Sequence, residues 1–171
     1  LGILLYITYA FRGVPHASRF GAAAIIAMLH DVAVVFGVEA ILGHFLGWEA
    51  DSLFLTALLT VIGFSVHDTI VVFDRIRENQ SLYRRLEFET VVNHSIVQTL
   101  DRSINTQLTV MMTLLALLLY GGLTTQHFVT ILLVGVFSGT YSSIFNAAPI
   151  LVVWENKEWR RWFRRRRPAS A

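Results

Sequence analysis

Four apolar stretches, each close to the length that crosses a lipid bilayer, leave this chain few folds to choose from. A hydrocarbon core about 30 Å thick takes about 20 apolar residues in an α-helix. Residues 20–45, 52–73, 102–122 (most apolar from Thr106) and 127–154 meet that requirement. A fifth apolar stretch, residues 1–11, spans only about 16 Å at helical rise. It is expected to be the tail of a partial spanning helix whose start lies upstream of Leu1. It lacks the basic flank and cleavage pattern of a secretory signal peptide. A soluble bundle would need polar faces that these stretches lack. Only 15% of the residues are charged, where soluble domains carry about 25%. The expected fold is an all-α membrane protein, a polytopic transmembrane helix bundle.

The arginines set the expected orientation. Arg12 and Arg19 lie between residues 11 and 20, and Arg75, Arg77, Arg84, Arg85 and Arg102 between residue 73 and the apolar run that starts at Thr106. Lys157, Arg160, Arg161 and Arg164 to Arg167 follow the last one. Together these are all 14 Lys and Arg residues, and the loops at 43–51 and 121–127 hold none. The positive-inside rule then makes the arginine-bearing side cytoplasmic. Trp48 and Tyr120 suit the outer interface and Trp154 the inner one. Within residues 82–100, apolar Phe88, Val92, Ile96 and Leu100 recur every four residues, with Val91 beside them. That spacing predicts an amphipathic helix lying along the inner surface or packed under the bundle. Residues 156–171 read as a basic cytoplasmic tail that anchors to anionic membrane lipids, with no nucleic acid as partner.

Ionisable groups inside a membrane cost at least about 2.5 kcal/mol each, and those that remain usually carry function. Here they are His30 and Asp31, Glu39 further out, and His67 and Asp68, with Arg102 at the mouth of the next span. In one reading Asp68 is a proton-binding carboxylate: burial favours its neutral form and an approaching Arg102 favours its charged form. In the other, Asp68 and Arg102 are a fixed pair that locks two helices together. His30 and Asp31 suit an interhelical hydrogen bond as well as a relay. Glu39 is assigned no role. A metal is not expected, because adjacent residues on a helix point about 100° apart and neither His-Asp dipeptide can easily put both side chains on one ion. There is no nucleophile elbow, no zinc-protease motif and no glycine-rich phosphate loop. Neither enzymatic chemistry nor a cofactor is expected.

The later stretches carry small and polar residues at helical spacing. Thr106, Thr109 and Thr113 share a face, and Gly135, Gly139 and Ser142 share another, with Ser138, Thr140, Ser143 and Asn146 nearby. Small residues let helices approach closely in lipid and hydroxyls bridge them. A hydrated path beside Asp68 would use the same residue types. Pro149 is expected to kink or end the last span.

The run Phe64-Ser65-Val66-His67-Asp68-Thr69-Ile70-Val71-Val72-Phe73-Asp74-Arg75-Ile76-Arg77-Glu78-Asn79 resembles the signature of the SecF family of protein-export membrane subunits. Leu29-His30-Asp31-Val32, Ser103-Ile104-Asn105-Thr106 and Gly139-Thr140-Tyr141-Ser142-Ser143-Ile144-Phe145 with Pro149 resemble it too, in the family's order, so the likeness covers about residues 1–155. Position 67 is often Asn in that family, which leaves His67 either a lineage variant or an additional proton acceptor. The resemblance implies a subunit that pairs with SecD in a bundle related to the RND transporters. It implies help to the SecYEG channel after the SecA motor, drawing on the proton gradient of the bacterial cytoplasmic membrane. It also implies that the family's intramembrane Asp and Arg correspond to Asp68 and Arg102. An outer domain and an earlier first span, which engage the preprotein in the family, are not within this sequence. Two other classes stay open: a proton-driven exporter of lipids or small molecules, and a structural scaffold of the translocon.

Overall fold

The computed structural model of this chain describes residue 9, residues 17–83 and residues 85–155. The expected partial span at 1–11, apart from Tyr9, and the basic tail at 156–171 lie outside the described residues. Helix α1 is Ala17–Leu46, α2 is Ser52–Leu82 and α3 is Phe88–Tyr120. The last rod joins α4, Leu123–Ser142, through a π-turn at Ser143–Ala147 to α5, Ala148–Glu155. Among the described residues, four helical rods are long and apolar enough to cross a membrane. The chain is an all-α bundle of the polytopic membrane kind.

The rods are longer than the apolar runs. At 31 and 33 residues, α2 and α3 measure about 46 and 50 Å, well beyond a hydrocarbon core of about 30 Å. The surplus lies at the arginine-bearing end, where α2 runs past residue 73 to Leu82. The stretch 82–100, expected as a separate amphipathic helix, is therefore a correction. From Phe88 onward it is the first part of α3 and enters the span without a break. No Gly or Pro lies between Phe88 and Tyr120 to interrupt it. Of the two placements foreseen for its apolar face, the one under the bundle is found: Val91 and Val92 are buried, and Phe88 and Ile96 pack on the same cluster.

Side chains knit this extension together. The Asn79 amide donates to Ser95 Oγ at 2.9 Å and to Gln98 Oε1 at 2.8 Å, and Arg75 Nε donates to Gln98 Oε1 at 2.6 Å. Asn79 is fully buried, and its loss leaves the buried Ser95 hydroxyl without that donor. Asn79→Leu is expected to lower the stability of the full-length protein by on the order of 1–2 kcal/mol, read as an earlier thermal transition in detergent. At the same end, Arg19 of α1 pairs with Glu155 of α5 at 2.5 Å.

At the opposite end, Gly47 adopts φ 69° and returns its N–H to the Gly43 carbonyl, which stops α1. A left-handed residue closing a helix in this way is commonly glycine. Asp51 then caps α2 by accepting from the Phe54 N–H at 2.9 Å. Between the ends, α4 touches α1, α2 and α3. In its apolar window the last rod is 56% buried, against 11% for α3, which makes it the centre of the bundle. Small residues on α4 follow from that position, because three neighbours must approach it at once. Pro149 does not end the rod. A proline ring displaces the carbonyl four residues earlier, and here the backbone widens into the π-turn just before it and then continues.

Packing divides the interior into layers. One apolar cluster, around Phe20, Ala24, Phe73, Ile76, Val92 and Leu151, fills the arginine-bearing end. A second, around Val35, Phe54, Val61, Leu114, Leu132 and Val136, fills the other. Asp31, Ser65, Asp68, Ser103, Ser138, Ser142 and Ser143 are buried between them along their helices, forming a polar layer.

Candidate functional site

The polar layer is organised around two carboxylates. Asp31, midway along α1 and 1% exposed, accepts hydrogen bonds from three serine hydroxyls. Ser65 of α2 reaches Oδ2 at 2.5 Å, Ser142 of α4 reaches the same oxygen at 2.6 Å, and Ser138 reaches Oδ1 at 2.9 Å. His30 Nδ1 lies 3.3 Å from Oδ1, with its ring partly exposed. A Cβ on Gly139 would make only ordinary contacts here, 3.4 Å from Ser65 Cβ and 3.8 Å from Asp31 Oδ2. The interhelical bonding foreseen for Asp31 is thus what this conformation holds, through serines rather than through His67, which is exposed.

Asp68, 5% exposed on α2, accepts from Ser103 Oγ of α3 at 3.1 Å and from Ser143 Oγ at 3.0 Å. Asp68 and Arg102 are not in contact in this conformation: Arg102 is exposed, with no ion-pair partner among the described residues. The reason is rotational. Successive residues on a helix point about 100° apart, so α3 turns Ser103 toward Asp68 and carries Arg102 outward.

A second correction concerns the polar stripe of α3. Thr106, Thr109 and Thr113 are exposed, and the last two donate back to the carbonyls of Asn105 and Thr109. Ser95, Thr99, Ser103 and Gln107, spaced every four residues, face the bundle instead. Gln107 Oε1 is buried with no hydrogen-bond partner among the described residues. Gly135, Gly139 and Ser142 of α4 are buried at helix contacts.

One pair had no signal in the sequence beyond two ionisable residues in different spans. Glu39, 6% exposed on α1, lies with its two oxygens 2.8 and 3.0 Å from His127 Nε2 at the start of α4. Trp48 lies against that imidazole, ring centres 4.5 Å apart. Glu39→Gln and His127→Ala are each expected to lower thermal stability by on the order of 1 kcal/mol. The double variant should lose little more than either one, the non-additivity of a shared contact. Among the described residues no three His, Asp or Glu side chains converge as metal ligands do. The layer's chemically active groups are thus two buried carboxylates, each held by serine hydroxyls from neighbouring helices.

Known proteins agree with this architecture. A family model described as "Protein export membrane protein SecD/SecF, C-terminal" matches residues 1–157. The protein translocase subunit SecF of Anaerolinea thermophila is 64% identical over 173 aligned residues, covering 100% of this chain and 56% of the relative. The protein translocase subunit SecDF of Thermus thermophilus is 44% identical, covering 91% of this chain and 20% of that one. A crystal structure of SecDF in a super-membrane-facing form superposes with a TM-score of 0.80 at 42% identity, over 95% of this chain and 21% of its own. The chain spans about half the length of the curated SecF relatives it matches.

Proposed function

This chain belongs to the SecD/SecF C-terminal family of protein-export membrane proteins, and we propose that it is the membrane core of a SecF-type translocase subunit that couples proton flow to preprotein export. The observation that carries the proposal is Asp68: a carboxyl buried in the bundle, held by two hydroxyls, with a guanidinium one residue from one of its donors. An ionised carboxylate in a low-dielectric interior needs a cation or several donors. Protonation removes the charge, and two serine hydroxyls then suffice. Deprotonation creates a demand that Arg102 can meet if α3 turns by about 100°, exchanging Ser103 for Arg102. The switch is thus a rotation of α3 against α2, driven by the charge on one side chain.

In this proposal the membrane is the bacterial cytoplasmic membrane, with the arginine-bearing end inside and a SecD-type subunit as the partner half. The SecYEG channel, with SecA upstream, supplies the preprotein, which the family's outer domain engages. Proton entry from outside gains about 2.3 kcal/mol per 100 mV of membrane potential. The chain acts as a coupling device and not as an enzyme. The test is export of a preprotein in vesicles carrying the full-length subunit with SecD and the channel. An imposed proton gradient should accelerate export, and a rate indifferent to the gradient overturns the proposal.

A further inference from the structure

We propose that Asp31 is a second proton-binding carboxylate, and that the adjacent hydroxyls of Ser142 and Ser143 tie its protonation to that of Asp68. The inference rests on the proton-coupled reading of Asp68 and extends it to a group that reading leaves unused. Its basis is an arrangement of three hydrogen bonds. Ser142 and Ser143 are neighbours where α4 meets the π-turn, yet they serve different carboxylates: Ser142 donates to Asp31 and Ser143 to Asp68. On α2, Ser65 donates to Asp31 and lies three residues from Asp68, a spacing that places two side chains on one helix face. Each carboxylate is therefore bonded to an element that also serves the other.

Each serine of the pair has a second acceptor within reach. Ser142 Oγ lies 2.6 Å from Asp31 Oδ2 and 3.4 Å from the Gly139 carbonyl. Ser143 Oγ lies 3.0 Å from Asp68 Oδ2 and 3.2 Å from the Thr140 carbonyl. While a carboxylate is ionised, its serine donates to it. When a proton from solvent binds the carboxylate oxygen, the new O–H donates to the serine oxygen, and the serine hydrogen turns to the carbonyl three residues back. The O–H bond that breaks belongs to the solvent hydronium, the one that forms is on the carboxyl, and every group keeps a partner. The hydroxyl thus reverses with the charge, and the reversal changes what the π-turn holds on to.

The other ionisable groups on the elements around Asp31 lie mostly outside the polar layer. His30 is its neighbour, His67 and Asp68 belong to α2, and Tyr141 on α4 is exposed. His44 of α1, Asp74, Arg77 and Glu78 of α2 and Arg102 of α3 are exposed, and Arg75 pairs with Glu78. Glu39 and His127 engage each other at the arginine-free end, and Arg19 and Glu155 at the other. Among the described residues no Lys or Arg lies within ion-pair distance of Asp31 or Asp68.

The experiment is a pH titration of the full-length subunit with its SecD-type partner in lipid nanodiscs, following the infrared carbonyl stretch of protonated carboxyl groups. Asp31→Asn should remove one of the protonated-carboxyl bands that appear as the pH falls, and should shift the frequency of the band that remains, because Ser143 adjoins Ser142. Ser142→Ala keeps the carboxylate and two of its hydroxyls, so it guards against simple misfolding. It should keep both bands but shift the frequency of one, because a hydrogen-bond partner of that carboxyl is gone. An unchanged number of bands in Asp31→Asn, or unchanged frequencies in Ser142→Ala, overturns the inference. Loss of a proton in Asp31→Asn but none in Asp68→Asn supports the second site and overturns the reading of Asp68 instead.

Discussion

In the full-length subunit, Asp68→Asn is expected to abolish the acceleration of export by a proton gradient while leaving the protein in the membrane at wild-type abundance. The substitution suits the site as the structure presents it. The Asn side-chain oxygen accepts from Ser103 as the Asp68 oxygen does, and its amide can donate to the oxygen of Ser143, so the contacts at 3.1 and 3.0 Å keep partners. Only the charge and the exchangeable proton disappear. Asp68→Ala is a poorer probe, because it strands two buried hydroxyls and adds a folding defect of about 1–3 kcal/mol. Arg102→Ala is the companion variant. Arg102 is exposed in this conformation, so its removal should change stability by no more than about 0.5 kcal/mol, yet it should remove gradient-driven export. A fixed structural pair predicts the reverse, a loss of stability with no change in gradient dependence. Export measured at equal protein level, with and without an ionophore, separates the two.

The largest structural effect is expected at Gly135. A Cβ built there overlaps Val61 Cγ2 and comes within 2.7 Å of Cγ1. Val61 is fully buried in the cluster at the arginine-free end, and a β-branched side chain has little rotamer freedom with which to yield. Gly135→Ala should therefore force α4 away from α2 at a cost of about 1–3 kcal/mol, and Gly135→Leu should prevent assembly of the bundle. Val61→Ala removes the colliding methyls and should restore most of the stability of Gly135→Ala, though alone it destabilises by leaving a cavity. Gly139→Ala is the contrasting case: its nearest neighbour, Ser65 Cβ at 3.4 Å, allows an ordinary contact, and the variant should stay close to wild type. Thermal transitions of these variants in one detergent decide the order. A Gly135→Ala protein as stable as Gly139→Ala would mean that α2 and α4 are not packed as described.

Much of this molecule is legible without coordinates, and the reason differs from residue to residue. Apolar length reveals the rods, since a bilayer demands about 20 apolar residues whatever surrounds them. Asp31 and Asp68 stand out because ionisable side chains are rare at such depth. The extension of α3 was harder to see: the amphipathic pattern of residues 82–100 specifies a helix and its buried face, but not whether that helix bends at the membrane surface or continues straight. The hydroxyls on α3 were harder still. Thr106-Thr109-Thr113 and Ser103-Gln107 both repeat at helical spacing, and nothing local says which one faces inward. One residue of register, about 100° of rotation, separates a side chain that meets Asp68 from one that meets the outside.

Sequence alone determined that the chain crosses a membrane, about where its rods fall, and which carboxylates lie inside them, because each follows from transfer energies read along the chain. Only the tertiary structure decided that Ser65, Ser138 and Ser142 surround Asp31, that Ser103 and Ser143 rather than Arg102 hold Asp68 in this conformation, and that Glu39 meets His127. Those contacts join residues 34 to 111 positions apart. They depend on how each rod is rotated about its axis, which is set by the packing of all four together.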